Sequence, residues 1–329
     1  MPVLYKIIGK VATAWRKNIV KMQLGMRETK EKTKEKTGMF KQIRPESACW
    51  CGSGKEYKHC HMEFDKKVNQ ARREGHEIPS HQIIKTPEQI EGIRESGKLN
   101  IAVLDYVAEN IKAGVTTEDI NRWVHDYTVE HGGIPAPLGF EGFPKSVCTS
   151  INHEVCHGIP SEDVVLKEGD IINVDVSTIL NGYYSDSSRM FIIGETTPEK
   201  EQLVRVTKEA VEKGLAEVKP WGFLGDMSQA VHDHAKKHGY TVVEEIGGHG
   251  IGLEFHEDPF VSHIAPRGTE MLMVPGMIFT IEPMVNIGSG EFYIDEENGW
   301  TVYTEDHKPS AQWEIMVLVT EDGHEVLAY

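Results

Sequence analysis

Apolar positions at Leu4, Ile7, Ile8, Val11, Trp15 and Ile19 recur at helical spacing over residues 3–24, with Lys and Arg on the other faces. Such a helix suits a membrane surface, RNA, another protein or its own domain. Residues 27–37 alternate Arg, Lys, Glu and Thr and read as a linker or an exposed helix. Periodicity returns at Thr86, an N-cap followed by Pro87 and by acids in the first turn. That helix places Ile90, Ile93 and members of the run Leu99, Ile101, Val103 and Leu104 along one side. A second begins near Thr117-Glu118-Asp119-Ile120, and Pro135-Ala136-Pro137 ends the pattern. Further helices are predicted over about 198–216 and 226–238, and apolar strands at 171–177, 274–283 and 313–319.

The strand at 171–177 is apolar except for its polar chemistry. Asn181-Gly182 follows it, and that pair is a strong hairpin signal. A two-residue turn there sets Ser177 opposite Asp186 and Asp175 opposite Ser188. Asp175 and Asp186 then share one face of a mostly apolar sheet. Buried carboxylates must be paired, protonated or bound to metal; exposed ones need nothing. Leu166 to Asp175 and Val274 to Glu282 repeat one design: a Gly turn, an apolar run and an acid. Trp313-Glu314-Ile315-Met316-Val317 adds another acid on an apolar strand. The repetition predicts an internal duplication with a site where the halves meet.

Composition narrows the classes. The chain has 329 residues, 39% hydrophobic, with a formal net charge of −16. That is enough for one large domain with appendages. Residues 1–41 hold 11 Lys/Arg and 3 Glu, so the arm carries +8 and the rest −24. A basic arm on an acidic body suits a polyanionic partner such as ribosomal RNA, or serves as a solvated tail. No stretch approaches a membrane span, and the basic residues of the N-terminus interrupt any signal-peptide core. The cysteine usage fits a cytoplasmic protein.

Cys49, Cys51, Cys60 and His61 can fill a closed tetrahedral zinc shell, with Gly52 and Gly54 turning the chain and His59 as a rival to His61. The run Cys49-Trp50-Cys51-Gly52-Ser53-Gly54-Lys55-Glu56-Tyr57-Lys58-His59-Cys60-His61 resembles the SEC-C zinc motif. That resemblance implies one structural zinc and a docking module for the ribosome or another partner. The domains expected are a basic helix and linker at 1–41, a zinc module at 42–64, a linker at 65–82 and a catalytic domain at 83–329.

Gly247-Gly248-His249-Gly250-Ile251-Gly252 follows no dinucleotide-binding βαβ pattern, so its glycines serve to bring His249 close to a ligand. Asp175, Asp186, Glu282, Glu314 and His249 together make an oxygen-rich shell suited to Mn, Fe(II), Co or Zn. Two ions about 3.5–4 Å apart would neutralise the four acids and support hydrolysis. Cys156-His157-Gly158-Ile159-Pro160, Asp175, Asp186, His249-Gly250-Ile251-Gly252, Phe255-His256-Glu257-Asp258-Pro259, Thr280-Ile281-Glu282-Pro283-Met284 and Ala311-Gln312-Trp313-Glu314 resemble a type I methionine aminopeptidase over about residues 83–329. The resemblance implies the pita-bread fold: an α/β (α+β) pair of pseudo-twofold halves around a curved antiparallel sheet. It implies two metals on Asp175, Asp186, His249, Glu282 and Glu314, and catalytic roles for His157, His256 and Glu282. It also implies a methionine pocket at Phe140, Phe143, Cys148, Phe255 and Trp300, bordered by His157 and His256. Nascent peptide N-termini are the implied substrates and a monomer the implied state.

Two positions depart from the family. Ile315 stands where His is common, yet strand alternation turns it away from Glu314. Tyr184-Ser185 replaces a frequent His-Gly before Asp186. The competing readings are an X-Pro peptidase of the same fold and an inactive ribosome-associated binding protein.

Overall fold

The computed structural model describes residues 43–329. The helix expected over 3–24 and the linker at 27–37 lie outside the described residues. The helices are α1 (Met62–Arg73), α2 (Pro87–Asn110), α3 (Thr117–Glu130), α4 (Pro198–Leu215) and α5 (Leu224–Lys237). Capping residues set their starts. Thr86 and Gln89 exchange side-chain and backbone bonds at the head of α2, and Thr116 and Asp119 do the same for α3. Thr197 caps α4, with Pro198 at its first position.

In the first half the strands are β1 (Ile134–Pro135), β2 (Cys148–Ile151), β3 (Glu154–Cys156), β4 (Ile171–Leu180) and β5 (Tyr183–Ile192). In the second they are β6 (Thr241–Val242), β7 (Gly248–Gly250), β8 (Glu257–Val261), β9 (Ile278–Ile281), β10 (Met284–Asn286), β11 (Phe292–Ile294), β12 (Val302–Thr304), β13 (Ser310–Gln312), β14 (Ile315–Val319) and β15 (His324–Ala328). Asn181 and Gly182 take φ of 53° and 85°, the pair of left-handed residues a type I′ turn requires. The register follows: Ser177 pairs with Asp186 and Asp175 with Ser188.

β4 pairs with β5 on one edge and with β1 and β2 on the other. The second half carries the sheet β15-β14-β9-β7-β8 and the smaller β13-β10-β6, and its β11 and β12 join β3 of the first half in a third sheet. The strand pairings are antiparallel. A bridge between Ser188 and Glu314 joins the halves. Each half buries one face of its sheet under a helix pair. Leu99, Val103, Leu104 and Val107 of α2 and Ile120 and Val124 of α3 cover Ile172, Val174 and Val176. Ala210, Val211, Leu224, Met227 and Val231 of α4 and α5 share a core with Phe279, Ile281 and Val317. Ile315 is buried in this core, as alternation from Glu314 requires.

The stretch 65–82, expected as a linker, is integral to the second half. Phe64, Val68 and Ala71 recur at i, i+4 and i+7 on α1, and Val68 and Ala71 lie in the main core. Phe64 packs edge-on to Trp221 at 5.5 Å between ring centres. Leu272 N donates to Glu77 O at 2.9 Å.

Between β2 and β3, Glu154 caps the turn by accepting from Ile151 N at 2.8 Å. Burial pushes its carboxyl up to about 7. A carboxyl raised on folding loses stability as pH climbs from its unfolded value through the folded one. Glu154→Gln keeps an acceptor oxygen and removes the charge. It should stabilise the chain by up to about 3 kcal/mol above neutral pH and by nothing in acid. Denaturant titrations at mildly acidic and mildly alkaline pH measure the difference; equal gains at both would contradict it.

Candidate active site

The site lies where the two halves join. Cys148, Asp175, Ser188 and Glu314 are successive cross-strand neighbours, one from each of four adjoining segments. Directly paired residues point to the same side of a sheet, so Asp175 and Glu314 face one space. Asp186, two residues before Ser188 on β5, joins them. From the other sheet, Ile315 pairs with Ile281, which sets Glu282 beside Glu314. His249 comes from β7, where Gly248 and Gly250 lie so close to Thr280 O and Asp258 O that a Cβ would sit at 2.4 and 2.1 Å. The glycines there permit the strand to approach its neighbours.

Each group is held by named partners. Ser177 Oγ donates to Asp186 Oδ1 at 2.8 Å. Thr280 Oγ1 donates to Glu282 Oε1 at 2.7 Å, and Gln312 Nε2 to Glu282 Oε2 at 3.2 Å. Glu282 N donates to His263 Nε2 at 3.1 Å. His249 Nδ1 lies 3.0 Å from Gly250 O. A carbonyl can only accept, so Nδ1 carries the proton and Nε2 keeps its lone pair. That lone pair faces Glu282 Oε1 at 3.6 Å and Asp186 Oδ2 at 3.9 Å.

Four acids and one imidazole crowd this space without a cationic side chain among the described partners. Asp175 Oδ1 is buried with no partner. Burial, then mutual charge, drives the carboxyls of Asp186 and Glu314 well above their ordinary range; burial also raises Asp175 and Glu282. Burial pushes the imidazoles down, His249 and His157 to about 4 and His263 to about 3. His256 falls to about 2, through burial first and then His249 and His157. Neutral imidazole beside crowded carboxylates is a donor set that divalent cations reconcile. Ligand-type atoms of Asp186, His249 and Glu314 lie within 4.8 Å of one another. The residues fit a metal.

Rings line the approach. His256 lies 4.3 Å from His249, 4.4 Å from Phe255 and 5.2 Å from Phe140, between ring centres. Phe140 meets Phe255 edge-on at 4.9 Å. Trp300 meets Phe143 at 5.2 Å and His157 at 6.5 Å. Phe140, Phe255, His256, His157 and Trp300 are each half-buried, so the rings border an open cleft. Tyr184, at one of the departing positions, stacks on Phe255 at 6.1 Å.

The sequence offered no sign of His263, whose chain neighbours form no motif. It also hid Lys85. The Lys85 ammonium, buried, pairs with Glu257, whose Oε1 also accepts from Leu253 N and Glu254 N. This pair anchors the segment that carries Phe255 and His256. Lys85→Met leaves the Glu257 carboxylate buried without its counter-charge. The expected cost is about 3–5 kcal/mol in urea unfolding, with weaker turnover from a loosened His256. A loss below about 1 kcal/mol would place the pair among exposed ones.

The second cluster is the cysteine module. Cys49 Sγ and Cys60 Sγ each lie 3.2 Å from His61 Nδ1, and Cys51 Sγ lies 3.6 Å from Cys60 Sγ. The four ligand atoms gather within 4.8 Å. His59 instead faces Glu56 at 3.9 Å and is largely exposed. Trp50 stacks on His81 at 4.0 Å, and Asp65 accepts from Trp50 Nε1 and Tyr57 OH. His81 Nε2 approaches the same carboxylate at 2.9 Å.

Carboxylates and neutral imidazoles at the junction of two α/β halves are what a metallohydrolase presents. Residues 91–321 match metallopeptidase family M24 and residues 47–63 the SEC-C motif. A methionine aminopeptidase of Chlamydia trachomatis serovar D is 43% identical over 286 residues, covering 85% of this chain and 96% of the relative. That of Escherichia coli K12 is 46% identical over 245 residues, covering 74% and 92%. The crystal structure of methionine aminopeptidase from Rickettsia prowazekii superposes with a TM-score of 0.73 at 43% identity, covering 75% of this chain and 99% of that one. The chain belongs to metallopeptidase family M24, among its methionine aminopeptidases, with the pita-bread fold and a SEC-C motif ahead of it.

Proposed function

We propose that this chain removes the N-terminal methionine of nascent proteins and peptides, preferring a small second residue. Two divalent ions would be held by Asp175, Asp186, His249, Glu282 and Glu314. The observation that carries the reading is the junction itself, where an imidazole lone pair faces two carboxyl groups at 3.6 and 3.9 Å. Bound divalent ions of the Mn, Fe(II), Co or Zn kind supply the polarisation that makes water nucleophilic at neutral pH.

The chain's own residues do the rest. Glu282, fixed by Thr280 and Gln312, accepts the proton of the attacking water and hands it on. His256, a neutral donor, faces the oxygen on which charge develops. His157 positions the scissile amide nitrogen. Phe140, Phe143, Cys148, Phe255 and Trp300 receive the methionine side chain, whose thioether suits aromatic and sulfur neighbours. Peptides beginning Met-Ala, Met-Lys and Ala-Pro separate the alternatives. Free methionine from the first and little product from the others supports the reading. Preferential cleavage of Ala-Pro would favour an X-Pro peptidase.

Cys49, Cys51, Cys60 and His61 would hold one structural zinc. Thiols gathered for metal fit the cytoplasm. The basic arm, +8 by sequence over residues 1–41, and the zinc module support docking to the ribosome or its RNA. Among the described residues no helix is long and apolar enough to cross a membrane. Deleting residues 1–64 would remove Trp50 and Phe64 from the packed core. Truncation after residue 41 is the cleaner test, and unchanged ribosome co-sedimentation would remove the arm from the account.

A further inference from the structure

A third cluster lies outside both centres. Glu209 on α4, His234 on α5 and His238 at the C-cap of α5 bring ligand-type atoms within 4.8 Å of one another. We propose that these three residues form a further site for a divalent transition metal of the zinc class, clamping α4 to α5.

Spacing of four residues puts both imidazoles on one face of α5. Their rings are 4.7 Å apart. His238 Nδ1 lies 2.9 Å from His234 O. The carbonyl accepts, so Nδ1 is protonated and Nε2 keeps a lone pair for a metal. His234 Nε2 meets Glu209 Oε2 at 3.0 Å. A cation binding there takes the place of the shared proton, which leaves to solvent. Arg205 donates to the other oxygen, Glu209 Oε1, at 2.7 Å and so orients the carboxylate. Arg205 also brings a positive charge, which opposes a cation. The C-terminal end of α5, which His238 caps, carries a partial negative charge that favours a cation, and Lys236 and Lys237 share that last turn.

Two imidazoles and one carboxylate are a donor set zinc takes with water in its fourth position. Oxygen-preferring magnesium or calcium does not suit two nitrogens. The three side chains are half-buried, so an ion can enter from solvent. The clamp would stiffen the helix pair whose Leu203, Val204 and Ala235 share a core cluster with Ala311, the residue before Gln312.

The test uses the full chain beside Glu209→Gln and His238→Gln, neither of which touches the catalytic cleft. Each is equilibrated with buffered zinc and its metal counted by mass spectrometry. The wild type should retain one zinc ion more than either variant, with affinity at this site weakened about tenfold or more by each change, a free-energy loss of about 1.4 kcal/mol. Methionine release, measured alongside, should stay unchanged and reports an intact fold. Equal zinc in all three chains would overturn the proposal. So would extra zinc that appears only without saturation, since that is scattered surface binding. If one variant fails to fold, the count in the other decides.

Discussion

Asp186→Asn should silence methionine release while leaving the fold intact. Asp186 is buried at the junction, with Oδ1 taken by Ser177 and Oδ2 facing His249 Nε2 at 3.9 Å. Asparagine keeps the size and can still accept from Ser177. It turns an amide into the space where the imidazole lone pair points and removes one unit of charge from the proposed metal shell. Changes to groups that merely orient ligands cost about 10- to 100-fold in affinity or activity, so loss of a ligand should exceed about 100-fold. The fold should not suffer with it. Burial and the charges of Asp175 and Glu282 push the Asp186 carboxyl upward. In the metal-free chain that is stability lost as pH rises, and Asn abolishes the loss. Metal-free Asp186→Asn should therefore match or exceed metal-free wild type in stability at neutral pH. Retained turnover, or inactivity explained by unfolding, would contradict the assignment.

His256→Ala should separate chemistry from metal binding. The ring sits between His249 and Phe255, with its basicity lowered to about 2 by burial and the neighbouring imidazoles. It is neutral across the working range and can donate a hydrogen bond without first gaining a proton. Removing one donor to a developing oxyanion costs about 10²–10³ in kcat. Metal content and KM should change little. The acid side of the rate profile should persist in the variant, because its source lies elsewhere. Carboxylates held above their ordinary range take up protons as pH falls, and each proton competes with metal. A drop in kcat that tracks metal loss would make His256 a support of the shell.

The sequence made the first half legible because its signals are local. Asn181-Gly182 sets the register of β4 against β5 unaided, and with it the shared face of Asp175 and Asp186. Thr86 and Thr116 announce their helices through caps. The second half is built from short strands such as β7, three residues of Gly-His-Gly. Three residues cannot display a period, so only the carboxylates and glycines marked their place. α1 escaped for another reason. Its Phe64, Val68 and Ala71 have helical spacing, but Lys, Glu and Arg crowd the stripe, and the apolar partner, Trp221, lies far along the chain. The Lys85–Glu257 pair and the His263 contact with Glu282 N join distant segments by tertiary packing alone. Local patterning carries no record of such contacts.

Metal dependence tests the central claim most directly. The chain would be stripped at its carboxylate centre, reloaded with Mn, Fe(II) or Co, and followed by methionine release from Met-Ala-Ser. The account predicts no release from the stripped chain and recovery as ions return to the junction, with the zinc proposed for the cysteine module unchanged throughout. Full release from the stripped chain, or none with any metal although the protein is folded, would contradict it.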